Sequence, residues 1–291
     1  RYAKYDADGN DISDTYAKQS NISNPNLIMN PDFKINQRNK RNTNIGRQSY
    51  GADRWKQLSS NGVVFTSDDF LQITGDMPAT NLSQPFEEIP TAGDYTLSVM
   101  SGSSKTNLSV KSMNFTITDS GELQTNSIIL LGVGMYTLSV SITDGVFDVR
   151  FACLGNSGTC YVKWVKLEPG TVATKFVPPD PATELLKCQR YYIAFNENAP
   201  FSGWIFSATS ARITIPVPTA MREAPTLVFP DGGTIGSTRI YSNGGTLTPS
   251  ACSVQQAENN QIVLSLTVSG ATANQTAAWR SISKAALDAE I

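Results

Sequence analysis

The sequence predicts an all-β protein with two antiparallel β-sandwich domains in series, behind an extended N-terminal segment and with a short helix at the joint. Short runs rich in Val, Ile, Thr, Tyr and Phe recur along most of the chain, separated by Gly, Asn, Asp or Ser. A proline-rich stretch near residue 180 interrupts this pattern, and the first 26 residues lack it. A chain of 291 residues is long enough for two separate cores.

Residues 1–26 form a polar leader in this interpretation. They are rich in Asp, Asn and Ser and have almost no aliphatic side chains, so they cannot bury enough apolar surface to fold alone. We expect the leader to be flexible or to become ordered against other chains. The stretch DADGND at residues 6–11 partly matches an EF-hand calcium loop, but Asp11 stands where the sharp turn needs glycine. An ordinary turn is therefore favoured, and no metal site is expected.

Residues 27–178 make up the first predicted sandwich. At least seven strand-like runs occur here with no helical periodicity between them, which is typical of an antiparallel sandwich. The run from Tyr161 to Lys166 alternates in character. Strict alternation would place Val162 and Val165 on opposite faces of the strand.

Residues 179–291 make up the second predicted sandwich, and they begin with a joint. The prolines near residue 180 cannot sit inside a sheet, whereas Asp180 followed by Pro181 is a favourable helix start. We therefore expect a helix of about two turns over residues 182–190, followed by a return to strands. The final stretch, WRSISKAALDAEI at residues 279–291, is predicted to be one closing strand, with a helix as the alternative.

The sequence contains no histidine. That excludes Ser-His and Cys-His nucleophile pairs, histidine acid–base catalysis and the commonest zinc and iron sites. We therefore expect no cofactor and no enzymatic activity. The net charge of −2 gives no reason to expect nucleic acid or an anionic membrane as a partner. No apolar run reaches the roughly 18 residues that a membrane span needs.

The four cysteines do not form a zinc motif, since no two of them are spaced as C-x-x-C. Cys153 and Cys160 flank a turn-rich hexapeptide and could form a disulfide across a hairpin. The cysteine content is far below that of a disulfide-rich scaffold, so buried free thiols are favoured.

The triplet Asp53, Arg54 and Trp55 is the most distinctive cluster of the first domain. As a binding site, Trp55 would stack on a sugar ring while the two charged residues bond its hydroxyl groups. As a structural element, Trp55 would be buried with its charged neighbours bonded to backbone. The structural interpretation is favoured, because an aromatic residue in a strand is more often part of the core.

Charged residues elsewhere in the first domain allow two further interpretations. The basic run at residues 34–47 is interpreted as a solvated loop, with an anionic polysaccharide or a neighbouring protein as the alternative ligand. The pairs Asp68–Asp69 and Glu87–Glu88 would be the carboxylates of a glycosidase. Adjacent strand residues point to opposite faces, however, so neither pair could act alone across one cleft.

In the second domain, NENAPFSGWIF places aromatic residues next to amides and a carboxylate. Exposed aromatic and polar side chains together are what a glycan site needs. Hairpin-edge packing or a contact at a trimer interface is the other interpretation, and it is favoured for these residues taken alone. With Tyr241 in RIYSNGG, the candidate glycan-binding residues of this domain are Asn196, Glu197, Phe201, Trp204 and Tyr241.

Several longer phrases occur in a fixed order along nearly the whole chain: NPDFKINQR and YGADRW at residues 30–55, KLEPGTVATKF and LLKCQRYY at residues 166–192, and LDAEI at residues 287–291. Together they resemble modules of bacteriophage tail-fibre and receptor-binding proteins. The resemblance implies a carbohydrate-binding-module-like jelly roll, then a small C-terminal fibre-head sandwich, assembled as a homotrimer on a virion.

The resemblance and the residues together lead to one expected function. The protein would attach to a bacterial surface polysaccharide without cleaving it, and its N-terminal segment would contact other virion proteins. A purely structural head or tail fibre without glycan binding is one alternative. A polysaccharide depolymerase is another.

Overall fold

A computed structural model describes residues 23–58, 62–75, 82–124, 128–131, 136–153, 157–258 and 260–290. The predicted all-β class is confirmed, since the strands form four antiparallel sheets among these residues. The chain divides into two compact units after Asp180, two residues beyond the predicted boundary. Most of the predicted leader, with its partial EF-hand match, lies outside the described residues.

The first unit contains two six-stranded sheets. Short strands form the sheet margins and long strands the centres, where each pleated surface has a partner on both sides. The first sheet has the order β1 (Ser49–Tyr50), β2 (Lys56–Gln57), β5 (Leu82–Pro85), β11 (Val146–Cys153), β10 (Tyr136–Thr143) and β9 (Ile129–Leu130). The second has the order β3 (Val63–Phe65), β4 (Leu71–Gly75), β12 (Ser157–Pro169), β6 (Gly93–Ser104), β7 (Asn107–Ile117) and β8 (Leu123–Gln124).

The core of the first unit is built from the inward-facing residues of both sheets, as in a β-sandwich. Leu97 and Val99 of β6 contribute from one sheet, while Leu138 of β10 and Val149 of β11 contribute from the other. Every second residue of each strand faces inward, which explains the alternating runs in the sequence.

A β-bulge changes the predicted alternation in β12. The pairing of β12 with β6 shifts register between Val162 and Trp164, because one extra residue is inserted there. As a result Val162 and Val165 are both fully buried. The prediction that they lie on opposite faces is therefore wrong, and the bulge is the physical reason.

A buried ion pair ties the end of β12 to the segment that follows it. Lys166 Nζ lies 3.1 Å from Glu168 Oε2, and both side chains are buried. Thr174 joins them: its backbone N–H donates to Glu168 Oε1 at 2.9 Å, and its hydroxyl oxygen lies 2.6 Å from Lys166 Nζ. Each charge therefore has a partner in the low-dielectric interior.

The helix α1 (Pro181–Gln189) begins at the predicted proline. Its inward residues are Glu184 and Cys188, one turn apart, whereas Leu186 is exposed. Lys187 pairs with Glu184 across 3.1 Å at the rim of that face.

The second unit contains a three-stranded and a seven-stranded sheet, with a short 3-10 helix at Ile235–Ser237. The smaller sheet has the order β13 (Tyr192–Phe195), β22 (Ala285–Asp288) and β16 (Thr226–Val228). The larger has the order β18 (Gly245–Leu247), β17 (Thr238–Ser242), β21 (Thr276–Ser281), β14 (Phe201–Ser207), β15 (Ser210–Pro216), β20 (Gln261–Thr267) and β19 (Ala251–Ala257).

The core of the second unit joins residues of these two sheets, among them Ile213 and Trp279 from the larger and Leu287 from the smaller. The predicted single closing strand is wrong. The chain leaves β21 after Ser281 and enters β22 at Ala285, so Trp279 and Leu287 reach the core from different sheets.

The cysteines are free thiols where their side chains are described. Cys160 and Cys188 are buried, as expected, and Cys252 is half-buried; the side chain of Cys153 lies outside the description. Burial raises the pKa of Cys160 to about 12 and that of Cys252 to about 11. Both thiols are therefore poor nucleophiles at neutral pH.

Candidate functional site

The outer face of the seven-stranded sheet carries three exposed aromatic side chains. Trp204 is 40% exposed, Phe206 51% and Tyr241 43%. Trp204 and Phe206 lie two residues apart on β14, with Ile205 fully buried between them. The alternation of the strand therefore turns both rings away from the core.

The pairing of strands places Tyr241 on the same face. Trp204 lies opposite Thr276 of β21, and Tyr241 lies opposite Ala278 two residues further along β21. Residues two apart in a strand share a face, so Trp204 and Tyr241 stand on either side of β21. From the spacing of strands and residues, their Cα atoms are about 12 Å apart.

Small side chains form the floor between these two rings. Ser202 pairs with Ala278, and Thr276 lies beside Trp204 on the same outward surface. The result is a shallow trough with an aromatic side chain on each side and a floor of hydroxyl and methyl groups. We call this surface, from Trp204 to Tyr241, the trough.

A bulge and a glycine fix the Trp204 side of the trough. The pairing of β14 with β15 shifts register between Ile205 and Ser207, which leaves Phe206 as the extra residue. A Cβ atom at Gly203 would lie 2.0 Å from the carbonyl oxygen of Arg212, so only glycine allows the two backbones to approach this closely.

Two arginines lie against the exposed rings. Arg212 lies directly opposite Trp204, and its Cζ is 3.9 Å from the centroid of the Phe206 ring. Arg280 Cζ is 5.6 Å from the centroid of the Tyr241 ring. A guanidinium over an aromatic face is held by the ring quadrupole, so each arginine is oriented while its N–H groups can still donate.

The five candidates of the second domain separate into three groups. Trp204 and Tyr241 face the trough. Phe201 faces the other way and packs on Phe195 and Trp279, with ring centroids 5.0 and 5.7 Å apart. Phe201 is therefore part of the core, because it lies an odd number of residues from Trp204.

The remaining candidates, Asn196 and Glu197, are exposed in the loop between β13 and β14. The next residue, Asn198, donates its backbone N–H to the carbonyl oxygen of Ser281 at 2.8 Å. This bond holds the loop at the end of β21, beside the sheet and outside the trough.

Trp55 of the first domain is fully buried, so the structural interpretation of its cluster is confirmed. Its Nε1 donates to Asn30 O at 3.0 Å, and its ring lies 5.7 Å from that of Phe151. Arg54 donates to Pro85 O at 2.6 Å, and Asp53 accepts from Gln37 Nε2 at 2.6 Å. The Trp55 ring has no surface to offer a saccharide.

The basic run at residues 34–47 is more ordered than a solvated loop. Arg38 pairs with buried Asp53 across 3.4 Å, and Arg41 pairs with Asp69 across 2.9 Å. Arg41 also donates to the carbonyl oxygen of Phe33 at 2.6 Å. These arginines bind the loop to the sandwich, so they are internal contacts.

The predicted carboxylate pairs occupy turns and bends at the surface. Asp68 and Asp69 lie in the turn between β3 and β4, where Asp68 pairs with Lys105 and Asp69 with Arg41. Glu87 and Glu88 are exposed beyond the end of β5. Asp68 and Asp69 therefore have different partners because they lie in a turn, and not because they alternate along a strand.

The first unit also holds a polar cleft of about 630 Å³ beside β6, β7 and β8. Among its lining residues the only carboxylate is Asp94, whose Oδ1 accepts from the Thr116 hydroxyl at 2.7 Å. Glycoside hydrolysis uses two carboxyl groups across the scissile bond, and the lining residues of this cleft supply one.

The sequence analysis missed Phe206 and Arg212. At residues 204–206 an aliphatic residue, Ile205, separates two aromatic residues. If Ile205 faces the core, Trp204 and Phe206 must share the opposite face, so the sequence pattern could have indicated that Phe206 is exposed. Arg212 could be found only from the pairing of β14 with β15.

Among the described residues no group of His, Cys, Asp and Glu side chains could hold a metal ion, and no helix is long and apolar enough to cross a membrane. No protein-family model matches the chain, and no curated protein matches it.

Proposed function

We propose that this protein is a bacteriophage tail-fibre or receptor-binding protein that attaches to saccharide on the host surface without cleaving it. The observation that supports the binding role best is the trough, with Trp204 and Tyr241 exposed on either side of a floor of small residues. The virion location rests on the resemblance of the sequence phrases to phage fibre modules.

The chemistry of the trough suits a sugar chain. A pyranose ring presents C–H groups on its faces, which are attracted to the negative face of an aromatic ring, and hydroxyl groups at its edge. The Ser202 and Thr276 hydroxyls supply hydrogen-bond partners between the two rings. A shallow surface of this kind fits an extended chain better than a small molecule, which needs a concave pocket.

Shallow sites bind weakly one at a time, so the proposal includes assembly. A homotrimer, with its N-terminal segments attached to other virion proteins, would present three troughs to one polysaccharide-covered surface. Linked sites can gain about 10²–10⁴ in apparent affinity without any new contact.

The experiment compares binding of the full-length protein and single variants to an array of bacterial surface glycans. Trp204→Ala should weaken binding at least about tenfold, as expected for a central tryptophan of an interface. Trp164→Ala is the matched control: this half-buried tryptophan of the first unit stacks on Phe176 at 4.6 Å and should leave binding unchanged.

Two outcomes would overturn the proposal. If folded wild-type protein binds no glycan, a purely structural fibre becomes the better description. If Trp164→Ala abolishes binding while Trp204→Ala does not, the trough is not the binding site.

A further inference from the structure

The strands of the seven-stranded sheet have an unusual charge composition. They contain three arginines, Arg212, Arg239 and Arg280, and no lysine, aspartate or glutamate. The whole chain, by contrast, has 25 acidic and 23 basic residues and a net charge of −2. The sheet therefore carries local positive charge within a slightly acidic protein.

All three arginines lie on the face of the trough. Arg212 is opposite Trp204, and Arg280 is two residues from Ala278 on the outward side of β21. Arg239 is directly opposite Arg280. From the spacing of strands and residues, the Cα atoms of Arg212 and Arg280 are about 17 Å apart, one at each end of the trough.

These arginines lack the acidic partners that others in the chain have. Arg38, Arg41, Arg150 and Arg222 each form an ion pair with an aspartate or glutamate. Within the described part of the chain, no ion pair involves Arg212, Arg239 or Arg280. Arg239 lies directly opposite Arg280, and its Nη1 donates to the carbonyl oxygens of Gly236 and Thr238, each at 2.7 Å.

We propose that the saccharide bound by the trough is acidic, with a carboxylate in its repeating unit. The inference rests on the proposed function and adds the class of ligand. Arginine binds carboxylates through two parallel N–H···O bonds, and the rings of Phe206 and Tyr241 hold Arg212 and Arg280 in place before binding. Sugar rings would stack on Trp204 and Tyr241 while carboxylates reach the arginines at the two ends.

Charge complementarity favours this ligand over a second copy of the chain. A trimer with this face turned toward its axis would bring arginines together with no acid in the strands of the sheet to neutralise them. Single-stranded nucleic acid also combines anions with stacking rings, but it carries a charge at every nucleotide and is usually bound in a groove that is basic along its length, whereas the strands of this sheet contain three arginines.

The test uses a panel of bacterial surface polysaccharides whose repeating units carry a uronic acid, each paired with its carboxyl-reduced counterpart. The two members of a pair share a backbone and differ in charge. The wild-type protein should bind the acidic member at least about tenfold more tightly, and the difference should shrink at high salt because exposed charges are screened.

Arg212→Gln and Arg280→Gln should each remove most of the preference for the acidic member, measured as the ratio of the affinities for the two members of a pair. Arg212→Lys keeps the positive charge but cannot form the bidentate hydrogen bonds of a guanidinium, so it should retain only part of the preference for the acidic member. Arg47→Gln, at an exposed arginine of the first unit, is the matched control and should change neither.

The outcomes separate the two proposals. Equal binding to both members of every pair would overturn the proposal that the saccharide is acidic, but not the proposal that the trough binds saccharide. Binding to no polysaccharide by folded protein would overturn both. Tighter binding of a single-stranded oligonucleotide than of any polysaccharide, lost in Arg212→Gln, would overturn both in favour of nucleic acid.

Discussion

Each of the two units has a tryptophan close to an arginine, and the two pairs have opposite environments. In the first unit Trp55 and Arg54 are both almost fully buried, and Trp55 Nε1 and Arg54 Nη2 each donate to a backbone carbonyl oxygen. In the second unit Trp204 is exposed, and Arg212 opposite it lies over the ring of Phe206. The same residue types therefore serve folding in one unit and a surface in the other.

The difference follows from which face of the sheet each residue occupies. Trp55 lies between the two sheets of the first sandwich, where any polar group must find a partner. The seven-stranded sheet packs its inner face on the smaller sheet, and residues on its outer face carry no packing requirement. Residue type alone does not separate a core position from a surface position; residue type together with strand face does.

The strongest test of this contrast replaces each tryptophan in turn. Trp55→Ala should lower the free energy of unfolding of the first unit by about 5 kcal/mol, because it leaves a large cavity and removes the bond from Trp55 Nε1 to the Asn30 carbonyl oxygen. Trp204→Ala should change stability by less than about 0.5 kcal/mol. Hydrogen exchange of the full chain, followed by mass spectrometry, reports both effects strand by strand. Equal losses from the two changes would show that Trp204 is covered in the native assembly.

The second test compares a buried and an exposed ion pair. Lys166→Met should cost about 3 kcal/mol, the lower end of the range for breaking a buried pair, since Thr174 still donates to Glu168. Lys284→Met breaks a pair with Asp231 in which both side chains are 44% exposed, and it should cost less than about 1 kcal/mol.

A double variant sharpens this comparison. Lys166→Met with Glu168→Gln leaves no buried charge and should recover part of the stability that Lys166→Met loses. Denaturant unfolding of the three variants measures the differences. No recovery in the double variant would mean that the side chains matter through packing and not through charge.

The smallest effect on stability is expected from Asp68, a surface carboxylate of the first unit. Hydrogen bonds from the Lys105 ammonium, at 2.7 and 2.8 Å, lower the pKa of Asp68 to about 2. Because the folded pKa lies below the unfolded value of about 3.9, the contribution to stability is present above about pH 4 and is lost as pH falls through 2.

Asp68 is half-exposed, so this contribution should stay below about 0.5 kcal/mol and weaken with salt. The thermal midpoints of the wild type and Asp68→Asn, compared between about pH 1.5 and 6, measure this contribution to stability. These limits lie roughly two pH units on either side of the unfolded pKa. A difference that stayed constant down to the lowest pH would show that the ion pair is not its source.

The sequence predicted the fold well where alternation and proline are decisive. The strand-like runs, the helix start at Pro181 and the core position of Trp55 follow from local rules of periodicity and backbone geometry. The errors at Val165 and in the last two strands have one cause. Both depend on how neighbouring strands pair, which no local pattern contains: a bulge shifts the alternation of β12 by one residue, and the chain passes from one sheet to the other between β21 and β22.

The candidate site was only partly predictable for the same reason. Counting residues from Trp204 would have separated exposed Trp204 from inward-facing Phe201. The positions of Arg212, Arg280 and Tyr241 around the trough depend on the register of four strands. That register joins residues up to about 80 positions apart in the chain, a separation beyond any pattern rule.

The close approach of β14 and β15 at Gly203 also bears on how this surface can change over evolutionary time. Any side chain at Gly203 would collide with the backbone of Arg212, so that position is fixed. Its neighbour Ser202 and the facing residues Thr276 and Ala278 point outward, where replacements are tolerated. A rigid frame thus carries a variable lining, and the outward surface can change through a few single-residue replacements while the sheet beneath remains the same.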